Sequence, residues 1–437
     1  MTRRKLLAGM AGATTAALFG SRSLEAGQVP AVQLPAARNG SAKIAAVEFW
    51  RVEGRRETLQ GATGQRQVNP SHIYEDATPP LFHESPNPTK TLAPIAGLYL
   101  KIRTDQGLEG LYGPIDTEPA MIVHRQLRPL LMGKDALAGE MLWDQMHRSN
   151  RHSRRGHFMM AISAVDNALW DLRGRYFGVP VYRLLGGPTR ANVEAYGSCL
   201  GYSVEPDAIQ KRAQQVRDAG YRYMKWFTPY GPGNGPQGMN LNVEMVRNLR
   251  AAVGEDTQIM IDAFSGWDLT YAREWCKKVE PYRLHWIEEA FSAEKIESFA
   301  DLRRSISFPV ASGEHFYGRW EVQEYLKAGA LDIVQADPEW CGGVTELVKI
   351  CTIASAYDVR VIPHGHRLHA SLHVVASQSP MTCPLIEYLI LNLPRFAHFE
   401  KNPIEPVKGR LALSDRPGFG IELDPAKVER QTQMTWE

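Results

Sequence analysis

Short apolar runs alternate with amphipathic stretches through the second half of the chain. The first two runs, VEAYGSC at 193–199 and YRYMKWF at 221–227, are each followed by apolar residues at the spacing of a helix. Six more such runs follow, and the last of them is PLIEYLI at 384–390. Regular alternation of unbroken apolar strands with helices predicts a parallel sheet, and eight units favour a closed barrel.

A doubly wound open sheet is the alternative arrangement for the same alternation. That fold usually places a glycine-rich phosphate-binding turn directly after its first strand. The sequence after VEAYGSC contains no such turn. We therefore favour the barrel.

The first part of the chain shows a different pattern. A strand is predicted from Ile44, and IAGLYLKIRTDQGLEGLYG predicts a hairpin that turns at 104–107. A helical pattern follows in ALAGEMLWDQMH. These elements predict a small α+β domain over residues 42–155. Its connection 60–94 is longer than an ordinary loop between strands, and long loops usually have a function, so we expect it to cover a site.

A long helical pattern, HFMMAISAVDNALWDLRGRYFG, then stops at Gly178 and Pro180. It opens the predicted barrel region, which covers residues 156–390. The alternation is lost after Tyr388. We expect the tail 391–437 to return and pack on the first domain.

Residues 1–26 have the three-part layout of a secretory signal peptide. Arg3, Arg4 and Lys5 precede a weakly apolar stretch of 14 residues, which is too short for a membrane span of about 20 residues. The paired arginines resemble a twin-arginine export signal. We expect a periplasmic protein with a linker at 27–41, and a cytoplasmic location is the alternative if the segment is not a functional signal.

The overall composition is that of a folded globular protein. The 437 residues are 44% hydrophobic, which is enough to form a large core. Because 50 Lys and Arg balance 48 Asp and Glu and no long basic run occurs, the charge pattern does not indicate binding to nucleic acid or to an anionic membrane. The five cysteines are scattered without metal-binding spacing, which favours buried free thiols. Disulfides stay an open alternative.

Carboxylates end three successive strands of the predicted barrel. Asp262, Glu288 and Glu314 end the third, fourth and fifth strands, at intervals of 26 residues. The strand ends of a barrel converge on one mouth, where three carboxylates would repel one another unless a cation neutralised them. Oxygen ligands alone select a hard ion such as Mg²⁺. The sequence therefore predicts a magnesium site, although each acid taken singly is more typical of a surface or capping position.

The next strands predict a pair that transfers protons. Asp337 ends the sixth strand and His364 the seventh, so the carboxylate can fix one imidazole nitrogen and leave the other free as a base. A structural histidine that caps a turn is the alternative. Glu387 ends the eighth strand. It either donates a hydrogen bond to a developing oxyanion, if burial keeps it protonated, or serves as an ion-pair partner.

Together, these residues resemble the mandelate racemase branch of the enolase superfamily. The similarity rests on AISAVDNALWDLRG and PVYRLLGG before the barrel and on the ordered acids and histidines of strands three to seven, and it covers about residues 43–425. The resemblance implies an α/β fold, a modified TIM barrel (β/α)₇β with an α+β capping domain that the C-terminal tail completes. It also implies Mg²⁺ on the three strand-end acids and an Asp337/His364 dyad beside it. Enzymes of this superfamily use a Lys or His base with Mg²⁺ that stabilises an enediolate.

Within the branch, the sequence is most similar to the L-rhamnonate dehydratases and related sugar-acid dehydratases. The shared segments are WIEE, SGEH, WCGG and PHG, and His315 directly follows the last acid of the set. Racemases of the branch carry Lys-x-Lys on strand two, whereas this chain has Lys225 and then Phe227. Racemisation needs a proton-exchanging group on each face of the substrate, which Phe227 cannot supply.

The resemblance thus implies a hydro-lyase that converts a sugar acid, either an aldonate or an aldarate, into a 2-keto-3-deoxy acid. His364 would take the α-proton, and either His364 or His315 would assist the departing 3-hydroxyl. Lys225 would contact the substrate carboxylate or remain solvated. The alternatives are a racemase, epimerase or cycloisomerase of the same superfamily, and a non-catalytic exported sugar-acid binding protein.

The sequence contains fewer signals for substrate specificity and oligomeric state than for the fold and the catalytic residues. The connection 60–94 offers Arg66, His72, His83 and Lys90 as candidates for contacts with distal hydroxyls or with the carboxylate. Members of the superfamily are often symmetric assemblies, so a homo-oligomer is expected.

Overall fold

The computed structural model describes residues 42–64 and 66–436. The predicted export signal and linker, at 1–26 and 27–41, lie outside these residues. Within the described ranges, no helix combines the length and the apolar character that crossing a membrane requires.

The strands and helices alternate along most of the described chain. The strands are β1 (Ile44–Gln60), β2 (Thr89–Thr104), β3 (Glu109–Tyr112), β4 (Asn192–Ser198), β5 (Tyr223–Phe227), β6 (Gln258–Asp262), β7 (Trp286–Glu288), β8 (Val310–Ser312), β9 (Ile333–Val334), β10 (Arg360–Val361), β11 (Leu385–Leu389), β12 (Arg410–Ala412) and β13 (Arg430–Met434). The α-helices are α1 (Thr117–Ile122), α2 (Arg128–Leu131), α3 (Gly139–Ser149), α4 (Gly156–Phe177), α5 (Val181–Leu184), α6 (Pro206–Asp218), α7 (Gly235–Val253), α8 (Leu269–Val279), α9 (Ile296–Ser305), α10 (Arg319–Lys327), α11 (Gly343–Ser355), α12 (His369–Ser377) and α13 (Leu393–Phe396).

The cap contains an antiparallel sheet with the strand order β13-β1-β2-β3. β1 and β2 pair as far as Gln60 opposite Thr89, so their connection is shorter than the expected 60–94. Pro94 lies inside β2, opposite Arg55. A proline is tolerated there because β3 pairs only with the far end of β2, which leaves this part of β2 as an edge strand.

The second sheet contains eight parallel strands in the order β10-β9-β8-β7-β6-β5-β4-β11. β4 is the first of these eight strands along the chain and β11 is the last, and the two pair with each other. This pairing joins the two ends of the strand series, which an open sheet would leave apart. At the seam between β10 and β11, the N–H of Val361 donates to the carbonyl of Thr382 at 2.8 Å. This confirms the predicted modified α/β barrel with a separate antiparallel cap and excludes the doubly wound alternative.

Buried apolar side chains fill the barrel interior, as the unbroken apolar strands predict. They form one cluster of Tyr196, Met260, Trp286, Ala311, Ile333, Ile362 and Leu385. All five cysteines are buried and free, as expected.

The C-terminal tail contributes to both sheets. β13 pairs with β1 of the cap, with Met434 opposite Phe49. β12 instead pairs with the barrel strand β4, with Leu411 opposite Val193. The tail therefore packs on the first domain through β13, as expected, and also contributes a strand to the barrel sheet. β5 pairs only with Gly197 and Ser198, the last two residues of β4. The backbone N–H and C=O groups at the start of β4 therefore face no β5 residue, and β12 pairs with that part of the strand instead.

Candidate functional site

Three carboxylates meet at the C-terminal ends of the barrel strands. Asp262 ends β6, Glu288 ends β7 and Glu314 follows β8, and each is at most 5% exposed. One oxygen of each carboxylate lies within 4.8 Å of one oxygen of the other two. We call these three residues the carboxylate cluster.

Burial and mutual repulsion disfavour the ionised state of the carboxylate cluster. Burial is the largest cause, and it raises the pKa of Asp262 to about 6, of Glu314 to about 7 and of Glu288 to about 8. A bound cation would offset this cost. Because every donor is a carboxylate oxygen, the cluster fits a hard divalent ion better than a soft one.

Lys225 supplies a positive charge to the cluster. Its Nζ lies 3.2 Å from Oδ2 of Asp262 and 3.0 Å from Oε1 of Glu387, and it also forms an ion pair with Glu288. Burial alone would lower the pKa of Lys225, but the carboxylates of Glu288 and Glu387 raise it well above its usual value. The side chain is only 1% exposed, which excludes the alternative of a solvated lysine.

Glu387 is the ionised partner of this lysine. Burial alone would raise the pKa of Glu387, but the positive charges of Lys225 and His364 lower it to about 2. Its Oε2 accepts the backbone N–H of Gly365 at 2.9 Å. Of the two interpretations of Glu387, this contact with the lysine ammonium favours the ion-pair partner, because the positive charge stabilises the charged form of the carboxylate.

The structure brings His364 and Asp337 together beside the cluster. His364 Nδ1 lies 2.7 Å from Asp337 Oδ2, and the carboxylate also accepts the backbone N–H groups of Glu339 and His366 at 2.7 and 3.2 Å. The other imidazole nitrogen, Nε2, lies 3.9 Å from Oε2 of Glu314. This arrangement fixes the imidazole and directs its second nitrogen to the cluster.

The pKa of His364 depends on the charge of its neighbours. Burial alone would lower this pKa, but the carboxylates of Glu314 and Asp337 raise it to about 10. Because Glu314 is the larger of these two influences, a cation bound to Glu314 would bring the pKa down. His364 and the carboxylate cluster are therefore coupled electrostatically through Glu314.

His315 and Glu289 form a second histidine–carboxylate pair, which lies near Oε1 of Glu314, whereas His364 lies near Oε2. His315 Nδ1 lies 3.0 Å from Oε1 of Glu289 and 3.8 Å from Oε1 of Glu314. Burial alone would lower the pKa of His315, but Glu289 raises it to about 9. Glu289 is not among the site residues that the sequence predicts, although the paired acids of WIEE are a signal for it. In a regular strand it would point away from Glu288, but its left-handed φ of 42° breaks that alternation.

A cavity of about 400 Å³ opens beside His315. Its wall includes Ser265, Ser292 and Tyr317, together with Glu294 and Arg155. Hydroxyl and carboxylate groups of this kind can bind the hydroxyls of a polar chain.

The candidate specificity residues of the connection between β1 and β2 have other partners. His83 pairs with Glu205 at 2.7 Å and Lys90 with Glu57 at 2.9 Å, and all four side chains are largely exposed. Arg66 donates to the carbonyl of Pro79 at 2.7 Å, and His72 lies in a short 3-10 turn. In residues 42–64 and 66–436, no hydrogen bond or ion pair joins these candidates to the carboxylate cluster or the dyad. The connection instead reaches the cavity through Pro70.

Comparisons with known proteins agree with this architecture. The family described as "Enolase C-terminal domain-like" matches residues 208–427, and "Mandelate racemase / muconate lactonizing enzyme, N-terminal domain" matches residues 89–186. L-rhamnonate dehydratase of Saccharopolyspora erythraea is 33% identical over 338 residues, which cover 75% of this chain and 83% of that protein.

Solved structures show the same relationship. L-rhamnonate dehydratase from Gibberella zeae is 29% identical with a TM-score of 0.75, and the match covers 89% of this chain and 95% of that one. The rhamnonate dehydratase of that organism has also been solved in complex with Mg. The 3,6-anhydro-D-galactonate cycloisomerase from Zobellia galactanivorans is 25% identical with a TM-score of 0.69, over 89% of this chain and 100% of that one.

Proposed function

Because this chain belongs to the mandelate racemase and muconate lactonizing enzyme family of the enolase superfamily, we propose that it removes water from a sugar acid with His364 as the base. Its similarity to L-rhamnonate dehydratases over most of both chains makes it a hydro-lyase, a sugar-acid dehydratase of this superfamily. The observation that carries the proposed mechanism is the His364–Asp337 contact of 2.7 Å, with the free nitrogen of the imidazole facing the carboxylate cluster.

We propose that Asp262, Glu288 and Glu314 hold Mg²⁺. The support is the all-oxygen donor set and the raised pKa of each buried carboxylate. When bound, Mg²⁺ supplies positive charge beside the substrate carboxylate and so stabilises the negative charge that grows there as the α-proton leaves.

His364 takes the α-proton in the first step. Asp337 holds Nδ1, so Nε2 is the atom that receives the proton, and the buried carboxylate stabilises the imidazolium that results. The electrons of the broken C–H bond form the new double bond as the 3-hydroxyl departs. The enol product tautomerises to a 2-keto-3-deoxy acid. Phe227, at the position where racemases of the branch carry a second lysine, offers no proton donor for the opposite face.

The departing hydroxyl must receive a proton to leave as water. His364 can return the α-proton on the same face, and His315 can donate from the other side of Glu314. The variant His315→Asn separates these routes. A loss of turnover, with α-proton exchange into solvent retained, assigns the acid to His315, whereas unchanged turnover assigns it to His364.

The test of the function is turnover of a panel of aldonate and aldarate acids with Mg²⁺, scored as 2-keto acid formed. His364→Asn should abolish turnover while Mg²⁺ still binds, and the matched control His398→Asn, in the tail, should leave the rate unchanged. An undiminished rate in His364→Asn removes this residue from the mechanism. Deuterium exchange at the α-carbon of wild type without water loss indicates a racemase or epimerase, and binding without turnover across the panel indicates a binding protein.

We also propose that residues 1–26 direct export by the twin-arginine route. The support is the placement of Arg3 and Arg4 before the short apolar stretch. In a bacterial host the protein should be found in the periplasmic fraction, and Arg3→Lys with Arg4→Lys should keep it in the cytoplasm. Equal distribution of both forms would contradict the proposal.

A further inference from the structure

The indole of Trp340 lies between the two histidines that flank Glu314. It stacks on the His364 ring with a centroid distance of 4.9 Å and an interplanar angle of 28°. It also stacks on the His315 ring at 5.4 Å and 26°. One aromatic side chain therefore contacts the faces of both imidazoles that the proposed reaction uses.

The loop that carries this indole is anchored independently of the histidines. Asn167 of α4 accepts the backbone N–H of Val344 and donates to the carbonyl of Pro338, in both cases at 3.1 Å. Asp166, in the same helix, accepts from the hydroxyl of Thr345 at 2.7 Å. Both α4 side chains are at most 1% exposed, so water does not compete for these bonds.

Two glycines keep the loop close to α4. Gly342 and Gly343 have φ values of 118° and 84°, a region that favours glycine. A Cβ on Gly343 would lie 2.4 Å from Oδ2 of Asp166. The WCGG segment therefore fixes the indole on a backbone that side chains larger than glycine would displace.

We propose that Trp340 is a positioning residue that sets the orientation of His315 and His364 relative to the carboxylate cluster. Each imidazole is held at Nδ1 by its own carboxylate, Glu289 or Asp337. A hydrogen bond to one nitrogen still lets the ring tilt about that bond. The shared indole contacts one face of each ring and removes this freedom, so both Nε2 atoms keep their direction.

The proposal rests on the proposed dehydratase function, because its readout is the turnover of a sugar acid. Proton transfer is sensitive to geometry, and a misplacement of about 1 Å costs up to about 10²-fold in rate. Trp340→Leu removes the flat face and should lower kcat at least about tenfold, with KM changed less than about twofold. Trp340→Phe keeps an aromatic face and should restore kcat to within about threefold of wild type.

Trp320 provides a matched control. Its indole stacks on His147 at 4.8 Å and 15°, outside the site, so Trp320→Leu removes an equivalent indole–imidazole contact and should leave kcat unchanged. Trp340→Met, with an unbranched side chain, replaces Trp340→Leu if the latter does not fold, and thermal unfolding identifies that case.

The outcomes for Trp340 separate positioning from a general structural role. A kcat of Trp340→Leu equal to that of wild type overturns the proposal. An equal loss in Trp340→Phe and Trp340→Leu, or a loss confined to KM, also overturns it. Wild-type protein without dehydratase activity contradicts the proposed function instead, so the two failures are distinguishable.

Discussion

Lys225 Nζ lies 3.0 Å from Oε1 of Glu387, and both side chains are almost fully buried. The same ammonium contacts Asp262 and Glu288, so one lysine offsets the charge of three buried carboxylates. Such a group is costly to bury, and removing one member leaves the others uncompensated. Lys225 is therefore a structural cation of the site as well as a neighbour of the proposed metal.

The first prediction removes this cation. Lys225→Met should lower the free energy of unfolding by about 3–5 kcal/mol, because it leaves buried carboxylates without their partner. Mg²⁺ should recover more stability in this variant than in wild type, since the ion replaces part of the lost charge. Urea unfolding with and without Mg²⁺ measures both effects. In the control Lys349→Met, which breaks a partly exposed pair with Glu140, the loss should be at most about 1 kcal/mol. Equal losses in the two variants would contradict a special role for Lys225.

The second prediction concerns metal binding by the wild-type protein. Mg²⁺ at 100 times its dissociation constant should stabilise the fold by about 2.7 kcal/mol, and a chelator should abolish turnover. Asp262→Asn should remove most of this stabilisation, whereas Glu400→Gln, a change in a buried pair with His369 away from the cluster, should retain it. Thermal unfolding across a Mg²⁺ titration measures the shift. The carboxylate cluster is not the metal site if both variants respond as wild type does.

The positions of the carboxylate cluster followed from the sequence because they depend on topology alone. Parallel strands end at one mouth, so the regular spacing of Asp262, Glu288 and Glu314 was sufficient to bring them together. The fold class followed from the same alternation. The pairing of β12 with β4 did not follow from the sequence pattern. It depends on the shortness of the pairing between β4 and β5, which the pattern of apolar residues does not specify.

Side-chain direction in the loops was not predictable in this way. Glu289 contacts His315 only because its backbone adopts a left-handed conformation, and nothing in a two-residue acid pair specifies that φ. The stacking of Trp340 depends on an anchor in α4, which lies far away in the sequence. The charge state of Glu387 depends on the ammonium of Lys225, so burial alone gave two opposite interpretations.

The third prediction tests the dyad. Asp337→Asn removes the charge that stabilises the protonated imidazole of His364, and it should lower kcat by about 10²-fold or more. KM and Mg²⁺ affinity should change little, because Asp337 is not part of the carboxylate cluster. Steady-state kinetics at saturating Mg²⁺ provide the measurement. A loss confined to KM would assign Asp337 to substrate binding instead.

The fourth prediction tests the anchor between α4 and the loop that carries Trp340. Asn167→Leu leaves the N–H of Val344 and the carbonyl of Pro338 without their partner, which should cost about 1–3 kcal/mol for each orphaned group. Turnover should also fall, because the same loop begins at Asp337. The exposed Asn87→Leu is the control and should change neither quantity. Full activity in a destabilised Asn167→Leu protein would show that the anchor serves stability alone.

The fifth prediction is a pH dependence of stability that originates outside the active site. His373 is fully buried, and its Nδ1 accepts the backbone N–H of Tyr182 at 3.0 Å. Burial lowers the pKa of His373 from 6.5 to about 3. Between these two values the unfolded chain binds a proton that the folded protein does not bind. The stability from this group is therefore fully present above pH 6.5 and is lost as the pH falls toward 3, at about 1.4 kcal/mol per pH unit.

His373→Asn removes the titration and keeps an acceptor oxygen near the position of Nδ1. Its free energy of unfolding should fall less steeply with acid than that of wild type, by about the slope of one proton. The exposed His152→Asn should follow the wild-type curve. Urea unfolding at a fixed Mg²⁺ concentration, at several pH values between 6.5 and 4.5, compares the three proteins. Parallel curves for wild type and His373→Asn would mean that this histidine is protonated, or hydrated, in the folded state. The neutral imidazole held by Tyr182 requires the curves to diverge, because only the unfolded wild-type chain then gains a proton.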